Sequence, residues 1–182
     1  LLAFARAVDG PARAIRKRWE DEVEGPTRAA HSLIAKARFK LVEYDFAKYE
    51  ALKLQGSLVN QGKTIQEMQK QLAALKSKYG EVTAYKSVEW TLASFYRIGH
   101  LYQVFAQALY AAPVPPGMSE EEEESYRTQL EDVAVPIEDE AVKNFQFAYE
   151  KAREFRVTNE WTKKILQALN KYKPSDYPLF KE

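Results

Sequence analysis

An apolar stretch from Trp90 to Ala112 constrains this chain more than any other feature of its sequence. It contains no proline, and its large apolar residues occupy most of the circumference of a helix drawn at 3.6 residues per turn. A helix that is apolar on nearly every side needs neighbours on more than one side. The stretch therefore predicts a central buried helix, with the rest of the chain packed around it.

The remaining sequence predicts more helices and no strand. Glycine and proline are scarce, 7 and 8 in all, and they stand where the helical periodicity stops. With 182 residues, 46% of them hydrophobic, the chain has the length of one domain and enough apolar side chains for a core. We expect a single all-α domain over 1–182, with a polar loop at 55–62 and with helices at 11–24, 26–54, 63–84, 88–112, 119–133, 136–156 and 159–172.

Several helix starts carry specific capping signals. We expect the hydroxyl groups of Ser87 and Ser119 to cap the helices that follow them, and Thr158 or Asn159 to cap the last helix. Pro136 suits a first helical position, so it is expected to open a helix of its own.

Charge and cysteine content exclude several classes of function. The 27 Lys and Arg nearly cancel the 26 Asp and Glu, which gives no electrostatic case for nucleic acid or an acidic membrane surface. The chain has no cysteine, so disulfides, thiolate metal sites and cysteine nucleophiles are excluded and the redox compartment stays open. No uncharged apolar run is long enough to insert into a membrane. Because the sequence starts with Leu1, we interpret it as part of a longer or processed protein.

Two charged segments stand out locally. Residues 113–140 carry ten acidic side chains against Arg127 alone. Successive helical residues diverge by about 100°, so the run Glu120–Glu124 cannot converge on one ion. A solvated acidic face is favoured there, and a docking site for a basic partner is the alternative. A basic patch consists of Arg13, Arg16, Lys17 and Arg18. Its positive charge is offset by the acidic residues directly after it. This favours an exposed helix end or an inter-repeat contact over nucleic-acid binding.

No motif predicts an enzyme. Gly62-Lys63-Thr64 is similar to the end of a phosphate-binding loop, but five residues rather than four separate Gly56 from Gly62, and a helix precedes where a strand is required. His31 and His100 have no companion at ligand spacing, and His100 is expected to be a hydrogen-bonded core residue. We therefore predict no catalytic residue, no metal and no cofactor.

The strongest remaining signal is a weak internal repeat with an offset of 56 residues. The matching pairs are Phe39 with Phe95, Val42 with Ile98, Phe46 with Tyr102 and Tyr49 with Phe105. The helix starts repeat as well, because Ser87-Val88-Glu89-Trp90-Thr91 is similar to Thr158-Asn159-Glu160-Trp161-Thr162.

These features resemble the tetratricopeptide (TPR) repeat. Its first helix is matched by Phe95, Ile98, Gly99 and Tyr102, and its second helix by Ala141, Phe145 and Ala148. The first repeat departs from the pattern, with Glu43 in place of glycine and with Leu75, Tyr79 and Val82 in place of the small and aromatic residues. The resemblance implies antiparallel helix pairs stacked as a right-handed solenoid, with 113–135 as a Pro-rich acidic insertion.

The amino-acid sequences of 89–109 and of Asn159-Glu160-Trp161-Thr162 resemble those of large TPR proteins of deltaproteobacteria. Some of those proteins are envelope or gliding-motility components. That resemblance implies a periplasmic or envelope location. It also implies a non-enzymatic scaffold that binds a protein or peptide on the concave face of stacked helices. The alternative is a structural spacer or self-associating segment of a cell-envelope or motility assembly. Residues flanking the packing positions are the candidate partner contacts: Lys40, Tyr44, Lys48, Tyr96, Arg97, Gln103 and Gln107.

Overall fold

The computed structural model describes residues 25–179, and within that range the chain is helical with no strand. The helices are α1 (Gly25–Glu50), α2 (Leu58–Val82), α3 (Val88–Tyr110), α4 (Glu120–Phe155) and α5 (Glu160–Tyr172), with a 3₁₀ turn at Thr83–Tyr85 between α2 and α3. The predicted all-α class is confirmed. The predicted helix at 11–24 and the basic patch within it lie outside the described residues.

Helix α3 lies at the centre, as its apolar circumference predicts. It packs against α1, α2, α4 and α5, and its most extensive contact is with α4. Its buried residues run from Trp90 to Leu109 and include Leu92, Leu101 and Leu109 with no exposed surface. The expectation of a buried helix with neighbours on several sides is confirmed.

Small residues let α3 and α4 approach closely. A Cβ atom at Gly99 would come within 2.7 Å of two ring atoms of Phe145, so only glycine fits opposite that ring. On α4, Ala141 and Ala148 lie one turn to either side of Phe145, and both are fully buried. Phe145 thus enters the space that glycine leaves on α3.

The connection between α1 and α2 differs from its predicted position. Helix α1 ends at Glu50 rather than at 54, and α2 begins at Leu58 rather than at 63. The early start of α2 has a local cause, because the Ser57 hydroxyl accepts a hydrogen bond from the Asn60 amide at 3.4 Å. Most of the predicted polar loop at 55–62 is therefore the first turn of a helix.

Helix α4 is continuous, so the predicted break between 133 and 136 is wrong. Pro136 lies inside the helix. Ala134 before it and Ala141 after it are both fully buried and stand seven residues, about two turns, apart. One uninterrupted helix keeps both on the face that packs against α3, and this outweighs the backbone hydrogen bond lost at proline.

The predicted caps have mixed outcomes. Ser119 caps α4 through a capping box with Glu122, as expected. Asn159, rather than Thr158, caps α5 and accepts from the amides of Trp161 and Thr162. Ser87 precedes α3, but its side chain caps nothing. Its hydroxyl lies 3.4 Å from that of Ser32 on α1 instead.

The repeated positions have similar environments. Seven of the eight paired residues are buried, and Tyr102 is half-buried. The offset of 56 residues therefore relates the packing positions of α1 to those of α3. The helices that it relates are also in contact with each other.

Candidate functional site

Three of the candidate partner contacts share one face of α1. Lys40, Tyr44 and Lys48 follow one another at four-residue spacing, and all three are exposed. Tyr44 is 77% exposed, more than any other large hydrophobic residue in the described part of the chain. We call these three residues the Tyr44 face.

The Tyr44 face points away from the core. The buried residues of α1 form a stripe on the opposite side of the helix: Ala35, Phe39, Val42, Phe46 and Tyr49. The outward side of α1 carries further apolar residues nearer its start, and four of them, Leu33, Ile34, Ala37 and Leu41, form what we call the outer stripe. Leu33 is 67% exposed and Leu41 is 66% exposed. Helix α1 is therefore apolar on two opposite sides.

Tyr96 and Arg97 are not open to a partner in the way that the sequence predicts. Tyr96 is half-buried, with its ring centroid 5.8 Å from that of Phe145 and 5.9 Å from that of Trp161. Burial raises the pKa of its phenol. The ring fills the space between α3, α4 and α5, so its first role is in packing.

Arg97 is committed to an ion pair with Glu43 on α1. Its Nη2 donates to Glu43 Oε2 at 2.6 Å and its Nε donates to Oε1 at 2.9 Å, a bidentate geometry. Both side chains are about one-fifth exposed. The guanidinium also lies 4.4 Å from the ring centroid of Phe46. Tyr79 on α2 donates its hydroxyl to the same Glu43 carboxylate at 2.5 Å, so this carboxylate joins three helices.

His100 completes this polar cluster at its inner edge. Its Nδ1 lies 2.9 Å from Arg97 Nη1. Because arginine can only donate, Nδ1 accepts and the proton of the neutral ring is on Nε2. Burial, followed by the charge of Arg97, lowers the pKa of His100 from 6.5 to about 4. The residue is neutral at physiological pH, as expected of a hydrogen-bonded core histidine.

The two candidate glutamines lie apart from the Tyr44 face. Gln103 is buried, 6% exposed, and donates to the hydroxyl of Tyr172 at 3.1 Å, so its side chain is occupied within the fold. Gln107 is exposed and lines a groove of about 510 Å³ with the chain that follows α1 and the start of the α3–α4 loop. The set predicted from sequence therefore divides into a surface group, a packed group and a separate groove residue.

Ionic contacts surround the Tyr44 face. Lys48 lies 3.5 Å from Asp45, and Asp45 lies 2.7 Å from Lys78 on α2. The hydrogen bond from Lys78 is the main cause that lowers the pKa of Asp45. Asp45 and Lys78 also line a groove of about 280 Å³ between α1 and α2, and Leu41 is part of the same lining. Charged and apolar groups are thus interleaved along this side of the molecule.

Sequence reasoning missed two polar clusters. In the sequence, Glu43 stands out only as a departure from the repeat pattern. Glu43 precedes Arg97 by 54 residues, which is nearly the repeat offset. This spacing places the two residues at the same level of neighbouring helices. The predicted polar loop at 55–62 includes Gln61, yet Gln61 is 2% exposed and donates to the Pro113 carbonyl at 2.9 Å. Tyr126 of α4 donates to the side-chain oxygen of Gln61. No local pattern signals that second cluster.

Within residues 25–179, no group of three or more acidic or histidine side chains is placed to hold a metal ion. Over the same range, no helix combines the length and the apolar character needed to cross a membrane.

Comparison of the chain with protein-family models, with curated proteins and with solved structures gave no match. The TPR resemblance therefore stays a prediction that depends on the residues quoted for it.

Proposed function

We propose that this chain is a non-enzymatic scaffold segment, built as a TPR-like stack of antiparallel helix pairs, that binds an acidic protein or peptide segment on the Tyr44 face. The pattern of helix contacts supports the stack. Each helix packs against the next one along the chain, and α3 also packs against α1 and α5. Alternate helices then form one layer, which is the arrangement that stacked helix pairs require.

The exposure of Tyr44 is the observation that carries the proposal. A tyrosine offers a large, rigid contact area with a polar tip, and tyrosine is enriched among residues that dominate binding energy. Tyr44 is 77% exposed, and one turn of helix separates it from an exposed lysine on each side. Two cationic groups around an aromatic ring favour an acidic segment that contains an apolar residue.

The charge of α1 agrees with this choice of partner. The helix carries five Lys or Arg and three Asp or Glu. One of the three carboxylates, Glu43, is already neutralised by Arg97. The excess positive charge on α1 would steer acidic segments toward it, and the attraction would weaken as salt rises.

The test is a peptide-display selection against the full chain, followed by affinity measurement on the selected peptides. We expect peptides rich in Asp and Glu with at least one large apolar residue. Tyr44→Ala should weaken their binding at least about tenfold, which corresponds to about 1.4 kcal/mol. Tyr110→Ala is the matched control, because Tyr110 is also an exposed tyrosine, at 46%, but lies near the end of α3.

Salt and lysine variants complete the experiment. Lys40→Ala and Lys48→Ala should each reduce the affinity and its salt dependence, because each removes one exposed cation. Equal loss of binding in the Tyr44 and Tyr110 variants, or selection of peptides without acidic residues, would refute the proposed face. Tyr96 and Arg97 are unsuitable for this test, since their side chains hold the helices together.

The competing proposal is a structural spacer or self-associating segment of a cell-envelope or motility assembly. The exposed outer stripe favours it, since apolar faces at the end of a stack can join copies end to end. Light scattering distinguishes the two proposals. A particle size that rises with protein concentration, together with no selected peptide, supports the spacer. The envelope location and the insertion at 113–135 remain proposals drawn from the TPR resemblance.

A further inference from the structure

A groove at the corner where α4 ends and α5 begins combines apolar surface with positive charge. Its volume is about 420 Å³. The apolar part of its lining includes Ala152, Val157 and Leu166, and the exposed part carries Arg153, Arg156 and Lys163. We call it the corner groove. Its lining within residues 25–179 contains no carboxylate, so its charge is of one sign.

The three cations of the corner groove lack a counter-charge in the part of the chain that the structure describes. All three are exposed, and none forms an ion pair with a carboxylate of that part. Glu154 is engaged elsewhere, 2.6 Å from Lys151, and Glu160 lies 2.5 Å from Lys164. Glu150 is exposed but is not part of the lining. Positive charge beside apolar surface favours an acidic segment that also contains an apolar residue.

The start of α4 carries the opposite charge. Glu122 is held in the capping box, and Glu123 forms an ion pair one turn along the helix. The carboxylates of Glu120, Glu121 and Glu124 are exposed and form no ion pair with a cation of the described range. At about 100° per residue these three lie within an arc of about 100° on the helix, so they face the same side.

Met118 adds an apolar side chain to this acidic start. It is partly exposed and does not pack against the hydrophobic core of the described residues. An apolar residue just before a helix cap commonly packs against the fourth residue of the helix, but that residue is Glu123 here. Methionine adapts well to irregular apolar surfaces. The start of α4 therefore has both features that the corner groove favours in a partner.

A single molecule cannot bring these two surfaces together. They lie at opposite ends of one uninterrupted helix, and from residue 122 to residue 154 that helix rises about 48 Å. Contact between them requires two molecules. A second copy is favoured over an unrelated acidic protein, because it supplies the matching carboxylates and apolar residue at the same concentration as the groove.

We propose that the start of α4 of one copy docks in the corner groove of a second copy. Met118 then lies on the apolar lining, and Glu120, Glu121 and Glu124 face the three cations. The inference develops the competing spacer proposal and does not depend on binding at the Tyr44 face. It assigns the acidic start to a basic partner, and that partner is the chain itself.

This contact joins two different surfaces, so it is head to tail. A copy that has filled its groove still has a free α4 start, and assembly continues beyond a dimer unless the copies close into a ring. Each exposed ion pair contributes little, and salt screens it. We therefore expect reversible assembly that grows with protein concentration and weakens as salt rises.

Charge reversal in the full chain tests the proposal. The groove variant combines Arg153→Glu with Lys163→Glu, and the helix-start variant combines Glu120→Lys with Glu124→Lys, which leaves the capping box intact. Sedimentation velocity measures the average mass from about 10 μM to about 1 mM protein, in about 0.05 M and about 0.5 M salt. Circular dichroism checks that each variant is folded.

The matched control reverses two cations elsewhere. Lys63→Glu combined with Lys70→Glu makes the same change in net charge as the groove variant. Both lysines are exposed, on the side of α2 opposite its buried residues. Tyr44→Ala is the second control, because it alters the face proposed for peptide binding and leaves both charged surfaces as they are.

We expect the natural chain and both controls to assemble alike at low salt. Each reversed variant should need at least about tenfold more protein to assemble, because attraction becomes repulsion. An equimolar mixture of the two reversed variants should assemble again, since each then meets a surface of opposite charge. If a reversed variant does not fold, the corresponding Gln substitutions replace it and should also weaken assembly.

A mixture that is as monomeric as its two components would overturn the inference, as would a natural chain that stays monomeric at every concentration. Assembly that the reversals leave unchanged would overturn it as well and would assign the contact to another surface, such as the outer stripe. Loss of assembly in Tyr44→Ala would place the acidic start on the Tyr44 face instead of in the corner groove.

Discussion

At the scale of single residues, the close contact of Gly99 with Phe145 is the most specific feature of the fold. The sequence identifies both residues through the TPR pattern, and the structure places them against each other. What the sequence does not reveal is how little space is left. The nearest ring atoms would lie 2.7 Å from a new Cβ atom, whereas a Cβ atom at Gly80 of α2 would meet nothing within 4 Å.

This contrast gives a paired prediction. Gly99→Ala should destabilise the protein by about 1–2 kcal/mol, because the cost of overpacking exceeds the roughly 1 kcal/mol that alanine gains over glycine in a helix. Gly80→Ala should stabilise it by about 0.5–1 kcal/mol, since only the helix preference changes there. Chemical denaturation of both variants measures the difference. A Gly99 variant as stable as the natural chain would contradict the close approach of α3 and α4.

At the scale of helices, the sequence predicts most elements but misplaces their ends where tertiary contacts decide. The start of α3 at residue 88 and a cap of α5 at Thr158 or Asn159 follow from local signals, and both agree with the structure. The continuity of α4 does not follow from local signals, because Pro136 suits a helix start and only the joint burial of Ala134 and Ala141 explains why the helix continues. For the same reason no pattern near Gln61 predicts its burial against a loop 52 residues away.

A substitution at Pro136 tests the continuity of α4. Proline in the interior of a helix is about 3 kcal/mol less favourable than alanine, so Pro136→Ala should stabilise the protein by about 1–3 kcal/mol. Thermal and chemical unfolding measure the change, with Val135→Ala as the neighbouring control, since Val135 is 45% exposed. If residue 136 opened a separate helix, proline would suit the position and the alanine variant would be equal or less stable.

At the scale of the whole molecule, the polar cluster of Glu43, Arg97 and His100 links folding to pH. The folded chain holds His100 with a pKa of about 4, while the unfolded chain titrates near the ordinary value of 6.5. Between these values the unfolded state binds more protons than the folded state. The stability that the neutral ring provides is therefore complete above about pH 6.5 and is lost as pH falls toward about 4.

The prediction is a difference between two proteins. From about pH 7 to pH 4 the natural chain should lose up to about 3 kcal/mol more unfolding free energy than a His100→Gln variant, because glutamine does not titrate in this range. Denaturant unfolding at several pH values measures how the unfolding free energy of each protein changes with pH. The difference between the two proteins removes the contribution they share from carboxylates such as Asp45 and Glu160, whose pKa values are lowered. Parallel slopes for the two proteins would show that His100 titrates normally in the folded chain.

The unbroken α4 also has a mechanical consequence. At 36 residues it is a rod of about 54 Å. Tyr126 fastens its first half to α2 and to the α3–α4 loop, and its last turns pack beside α5. Two helices joined at a hinge would absorb a load by bending. A single rod packed along α3 resists that bending, so tension applied at the acidic residues near its start would be carried along the rod to its α5 end.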